Sequence, residues 1–223
     1  MNWEPLILTF KLALVTTTLL LVVSVPLANW LAHTRSKAKP IFETLVSMPL
    51  VLPPTVLGFY FLIAFSPNNA FGSWLNDWLG LKLVFSFPGL VLASMIYSLP
   101  FMVHPIQSGL SGIPASIREA SYVLGKSRFE TLWKVLLPNI RPSLLTGIVL
   151  AFAHTIGEFG VVLMIGGNIP GETRVASIAI YDEVESLNYD VANFYSLVLF
   201  GITFGILLLV YLINGGYIKR FWK

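Results

Sequence analysis

"REASYVLGKSRFETLWKVLLP", Arg118 to Pro138, is the most polar long stretch in a chain that is otherwise strongly apolar. Within it Ala120–Ser127 fits a relaxed nucleotide-binding pattern, a small residue and four spacers before Gly-Lys-Ser. A phosphate-cradling loop needs glycines that expose backbone amides, a preceding strand, and a helix opening after Gly-Lys-Ser. Here the spacers Ser121, Tyr122, Val123 and Leu124 are mostly bulky, and no strand-rich segment surrounds them. The stretch reads better as a pair of short helices. Ser116 with Glu119, and Ser127 with Glu130, each form Ser-x-x-Glu, the pattern of a reciprocal capping box. The first helix is expected over 117–124, ending at Gly125 in a left-handed conformation, and the second over 128–137, ending before Pro138. Ile117, Ala120, Ser121 and Leu124 then share one largely small face, and Phe129, Leu132, Trp133 and Leu136 a bulky one.

The rest of the chain explains why such a hairpin stands out. Of 223 residues 56% are hydrophobic and 11% charged, with a mean hydropathy of +0.78, against about a quarter charged in a soluble domain. A bilayer core about 30 Å thick takes roughly 20 apolar residues per helix. Five runs qualify, at 12–31, 44–65, 83–103, 142–166 and 191–217, the fourth interrupted by Glu158. The expectation is one all-α membrane domain over 1–223, with five spans and a polar helical loop at 111–141. The first run is longer than the apolar region of a signal peptide and lacks a small-residue cleavage site before Arg35, so it is read as a retained span. The absence of cysteine excludes disulfides and thiolate metal sites.

Charge distribution sets the expected orientation. Arg35, Lys37 and Lys39, then Arg118, Lys126, Arg128, Lys134 and Arg141, then Lys219, Arg220 and Lys223 make 11 of the 14 basic residues and fall on one side. Lys11, Lys82 and Arg174 fall on the other, with Asp182, Glu183, Glu185 and Asp190. The basic side is the cytoplasmic one, which puts the N-terminus outside and the C-terminus inside. The net charge of +3 is thereby topological, and no nucleic-acid partner is expected.

"MPLVLPPTVLG", Met48–Gly58, places three prolines within little more than one turn, which predicts a broken helix of the kind found along transporter substrate paths. Pro53, Pro54 and Thr55 are candidates for the path or its gate. Glu158 lies mid-membrane in an uncharged run, a functional position by default, and Gly160 follows it. His154, four residues earlier, falls on the same helical face, so the two are expected to hydrogen-bond. That pair reads either as a structural lock or as part of a site. "HTIGE" lacks the second histidine of a His-Glu-x-x-His zinc motif, leaving an intramembrane enzyme built on His154 and Glu158 as an alternative reading, with no metal expected. No lysine or arginine lies deep in any expected span, which suits a conduit whose anion must leave as readily as it enters.

Two blocks carry a family resemblance. Residues 118–138 resemble the cytoplasmic "EAA" loop of ABC-importer permeases: Glu119, Ala120, Gly125, Leu137 and Pro138 match, and Ser121 replaces the second alanine. The resemblance implies that this loop couples to a separate ATPase, so that ATP is bound by a partner subunit and the chain itself carries no cofactor. "GEFGVVLMIGGNIPGETRVASIAIY", Gly157–Tyr181, with "PLVLPPTVLGFY", Pro49–Tyr60, is similar to the molybdate permeases. Sulfate permeases share Gly-Glu-aromatic-Gly and Gly-Asn-Ile-Pro but diverge after the proline, and Gly171-Glu172-Thr173 sides with molybdate. Sulfate or another oxyanion, and tungstate in place of molybdate, stay open as alternatives. Five spans alone make a thin-walled pore, so a homodimer is expected, and the resemblance further implies the inner membrane, two ATPase subunits, surrounding lipid, and an extracytoplasmic molybdate-binding protein. The turn containing Asn168, Pro170, Gly171 and Thr173 is the candidate docking site for that binding protein, and the acidic cluster after it is either a second contact or a solvated face.

Overall fold

The computed structural model describes residues 2–214. The basic group Lys219, Arg220 and Lys223 and the end of the fifth expected span therefore lie outside the described residues. Among those described the chain is helical without strands. Three helices are long and apolar enough to cross a membrane: α1 (Glu4–His33), α5 (Phe87–Ser111), and α12 (Tyr189–Asn214) over Tyr189–Leu212. At about 1.5 Å per residue, α1 is some 45 Å long. It begins eight residues before the apolar run, with Pro5 in the first turn and Glu4 at its positive end.

The other expected spans are broken. α2 (Lys39–Val51) and α3 (Pro54–Phe65) meet at an angle of 112° across Leu52 and Pro53. Pro53 and Pro54 offer no amide to the preceding turn, and Leu52 before Pro53 is driven to an extended conformation, ψ 136°. The fourth run, 142–166, was read as one span interrupted in sequence by Glu158. It is instead α9 (Arg141–Gly157) and the short α10 (Gly160–Gly166), separated at Glu158 and Phe159. Two helices inside expected connections are additional: α4 (Ala70–Leu79), which ends at a left-handed Gly80 and exposes Trp74 and Trp78, and α11 (Ala176–Glu185).

Small residues set how closely the helices approach, as in membrane bundles generally. A Cβ on Gly109 would lie 2.7 Å from Ser143 Oγ, and one on Gly147 3.0 Å from the Met102 carbonyl, so α5 and α9 touch backbone-close at two levels. A Cβ on Gly58 would lie 2.6 Å from Met164 Cβ, and one on Gly160 2.8 Å from Pro54 Cβ, which holds α3 against α10. One apolar core joins α1, α5 and α9 at the loop end and takes in Leu132, Leu136, Leu137 and Ile140; a second, around Leu12, Leu90, Val161, Ile165 and Ile178, fills the opposite end.

The loop departs from the expected hairpin in three respects. Helix α6 (Ala115–Val123) starts after Pro114 and has no side-chain cap, so Ser116 lies inside it and the first expected capping box does not form. The second does: Ser127 Oγ accepts from the Glu130 amide at 3.1 Å, and Glu130 accepts from the Ser127 amide at 3.4 Å, opening α7 (Arg128–Thr131). The helix then runs through Pro138 rather than stopping before it. A π-helical turn over Leu132–Leu136, closed by the Leu137 amide on the Leu132 carbonyl, inserts the extra residue that accommodates the proline, and the chain continues into α8 (Leu137–Asn139). Asn139 donates to the Val135 carbonyl at 2.7 Å.

Candidate functional site

The two helix breaks face each other across a cavity of about 520 Å³. Pro54 and Thr55 from the start of α3, Gly157, Glu158, Phe159 and Gly160 from the break after α9, and Tyr97 from α5 line it, with His154, Leu163 and Met164. Residues singled out separately in the sequence thus share one chamber, and Pro53 sits just behind as the residue before α3. No lysine or arginine is among its lining residues.

The expected bond between His154 and Glu158 is absent. The helix ends at Gly157 and Glu158 is extended, ψ 132°, so the two side chains no longer lie one turn apart on a common face. His154 turns to α5 instead: its Nδ1 is 2.9 Å from Ser98 Oγ, and its ring stacks on Phe101, with Tyr97 tilted beside it. Ser98 Oγ is also 3.1 Å from Thr155 Oγ1, which bonds back to the Ala151 carbonyl. Glu158 is 4% exposed, and neither carboxylate oxygen has a hydrogen-bond partner among the described residues. The Ser94 hydroxyl lies beside it but is unpartnered too. The Glu158 carbonyl, by contrast, accepts from Ser177 Oγ at 2.6 Å and ties the break to α11.

Tyr97 and Ser98 escaped the sequence reading. A signal for them exists in "ASMIYSLP": Ser94, Tyr97 and Ser98 stand at i, i+3 and i+4, a narrow polar stripe on an apolar helix.

At the opposite end of α10, the turn 167–175 is built around Thr173. Its hydroxyl donates to the Gly166 carbonyl at 2.7 Å and accepts from the Ile169 amide at 3.1 Å. The Ile169 carbonyl in turn accepts from the amides of residues 172–174. Thr173 is fully buried, so it shapes the turn from within and presents nothing to a partner. Asn168, Pro170 and Gly171 are exposed. Gly171 has φ +77°. The acidic cluster is partly satisfied internally: Asp182 pairs with Arg174 at 3.0 Å and accepts from Asn168 at 2.5 Å, and Glu183 accepts from Asn188.

The loop residues divide in a similar way. Glu119, Ala120 and Gly125 are exposed, whereas Ser121 is buried and its hydroxyl lies 2.9 Å from Thr131 Oγ1, joining α6 to α7. Leu137 belongs to the core and Pro138 is half-buried. Of the residues expected to share one small face, Ser121 faces inward. The most exposed apolar side chains of the loop are Val123 and Leu124 at the end of α6 and Phe129 on α7, 87%, 79% and 71% accessible. Gly125, φ +76°, closes a Schellman turn: the Lys126 amide bonds the Ser121 carbonyl and the Gly125 amide the Tyr122 carbonyl.

Long apolar helices, two proline- or glycine-broken segments meeting at a chamber lined without lysine or arginine, and a capped polar loop define a multi-pass membrane transport protein. The fold is similar to that in the crystal structure of a bacterial alginate ABC transporter in complex with an alginate pentasaccharide-bound periplasmic protein: TM-score 0.71, 20% identity, 93% of this chain and 77% of that one. Residues 24–223 match the model of the binding-protein-dependent transport system inner membrane component, and the chain belongs to that family. It is a permease subunit of the ABC importer type and not an enzyme. The molybdenum transport system permease protein ModB of Azotobacter vinelandii is 49% identical over 187 residues, 83% of this chain and 82% of that protein. A probable sulfate transport system permease protein, cysT of Zygnema circumcarinatum, is 33% identical over 222 residues, 97% of this chain and 76% of that protein.

Proposed function

We propose that this chain is the translocation subunit of a molybdate importer, working as a homodimer with two ATPase subunits and an extracytoplasmic binding protein. The observation that carries the reading is the 49% identity to a molybdenum permease, against 33% to a sulfate permease. The chamber supports a conduit. Thr55 and Tyr97 offer hydroxyls, and the absence of a fixed cation in its lining suits an anion that must pass without being held. A dianion in such a place is recognised by hydrogen bonds, and its tight capture belongs to the binding protein.

In this reading the basic loop faces the cytoplasm and the N-terminus lies outside. Val123, Leu124 and Phe129 form the apolar contact inserted into the ATPase, presented by the turn at Gly125. Glu119 and Ala120 flank that contact, while Ser121, Leu137 and Pro138 anchor it to the bundle. Asn168, Pro170 and Gly171 meet the binding protein on the other side. The test is reconstitution of the permease with its neighbouring ATPase and binding protein in liposomes. Molybdate-dependent ATP hydrolysis and uptake are expected, with sulfate at equal concentration ineffective. Uptake of sulfate in preference to molybdate, with the molybdate-binding protein present, would refute the assignment.

A further inference from the structure

A second cavity, of about 470 Å³, lies where the end of α1 meets the loop. Its walls come from four elements: Asn29, Trp30 and His33 of α1, Arg118 and Tyr122 of α6, Arg128 of α7, and Leu136 of the π-helical turn. Arg118 is near enough to His33 for its charge to act on the imidazole.

The cations around this end of the molecule fall into two groups. Lys126 and Lys134 both pair with Glu130, at 3.8 and 2.9 Å, and Lys39 pairs with Glu43 at 3.7 Å. Arg35, Lys37, Arg118, Arg128 and Arg141 have neither an ion pair nor a side-chain hydrogen bond among the described residues, and of these Arg118 and Arg128 line the cavity. Two unpaired guanidinium groups facing one hollow repel each other and favour an anion between them. The planar fork of arginine suits a tetrahedral oxyanion. Trp30 lines the hollow and packs edge-on against Phe42 at 4.9 Å, an aromatic of the kind that settles at headgroup depth. Basic hollows at the ends of spanning helices hold lipid headgroups by this combination.

We propose that this cavity binds a phosphate group, which pins the end of α1 to the loop through Arg118 and Arg128. A phospholipid headgroup and free phosphate share the required chemistry, and the experiment separates them. Full-length permease purified in detergent is titrated with phosphatidylglycerol, phosphatidylcholine and inorganic phosphate. Bound lipid is counted by native mass spectrometry, and phosphate is followed by calorimetry. Retention of phosphatidylglycerol over phosphatidylcholine identifies the lipid as the source; saturable binding of inorganic phosphate with no such lipid preference identifies the free anion. In either case Arg118→Gln with Arg128→Gln weakens binding about tenfold or more, as expected for lost charge-assisted hydrogen bonds. Arg118→Lys, which preserves the charge, retains most of it and shows that the site itself is intact. Lys37→Gln removes an exposed charge outside the cavity and leaves binding unchanged. Failure of both probes to bind the wild type, or an equal loss in Lys37→Gln, overturns the proposal.

Discussion

Gly125 offers the sharpest test of the loop, because its environment isolates a single physical term. A Cβ placed there meets nothing within 4 Å, so a substitution adds no clash. Only the backbone resists, at φ +76°, a region that costs an L-residue roughly 1–2 kcal/mol and a β-branched one more. That strain favours conformations in which the Schellman turn opens and Val123 and Leu124 are no longer presented. If the ATPase binds only the closed turn, its apparent affinity falls with the closed population, by up to a factor of about 5–30 for 1–2 kcal/mol. Asparagine tolerates the left-handed region, so the expected order of affinity is Gly, then Gly125→Asn, then Gly125→Ala, then Gly125→Val. Gly80 supplies a matched control: it has φ +63°, has open space around its Cβ, and caps α4 well away in sequence. Gly80→Val carries the same backbone cost and should leave ATPase binding unchanged. The assay is equilibrium binding of purified ATPase to the permease in nanodiscs, with membrane insertion checked for each variant. Wild-type affinity in Gly125→Val, or an equal loss in Gly80→Val, would refute the reasoning.

Three further outcomes are expected. Thr173→Val removes a donor to the Gly166 carbonyl and an acceptor for the Ile169 amide in a buried turn, at a cost of about 1–3 kcal/mol; faster hydrogen exchange at residues 169–174 is the readout, and unchanged protection would argue against the lock. Glu158→Gln replaces a buried carboxyl group that has no hydrogen-bond partner among the described residues with a neutral isostere, so the thermal midpoint should not fall; a midpoint lowered by several degrees would reveal a partner that depends on the carboxylate charge. A cysteine at Ser36 should react with an impermeant thiol reagent only from the cytoplasmic face, and one at Ser186 only from outside, with no native cysteine to confuse the result; reversed labelling would invert the proposed topology.

The helical class, the approximate position of the apolar segments, and the loop with its Gly125 turn and Ser127–Glu130 box were legible in the sequence, because each depends on residues a few positions apart. Hydropathy over 20 residues, a Ser-x-x-Glu spacing and a glycine after a helix are local quantities, and they survived folding. Local reasoning failed where a distant contact outweighed the neighbour. His154 and Glu158, four apart, looked like a pair, yet Ser98, 56 residues upstream, holds the imidazole while Glu158 ends in an extended break. Ser121 looked like a partner contact and is drawn inward by Thr131, and Thr173 is consumed by backbone groups that any residue could have supplied. The chamber is wholly tertiary: Thr55 and Glu158 line one hollow only because Gly58 and Gly160 let α3 and α10 approach to backbone contact, and no periodicity in the chain encodes that closeness. The same holds for Arg118 and Arg128, two of many basic residues in the sequence, which the fold alone leaves unpaired around one cavity by giving Glu130 to the lysines.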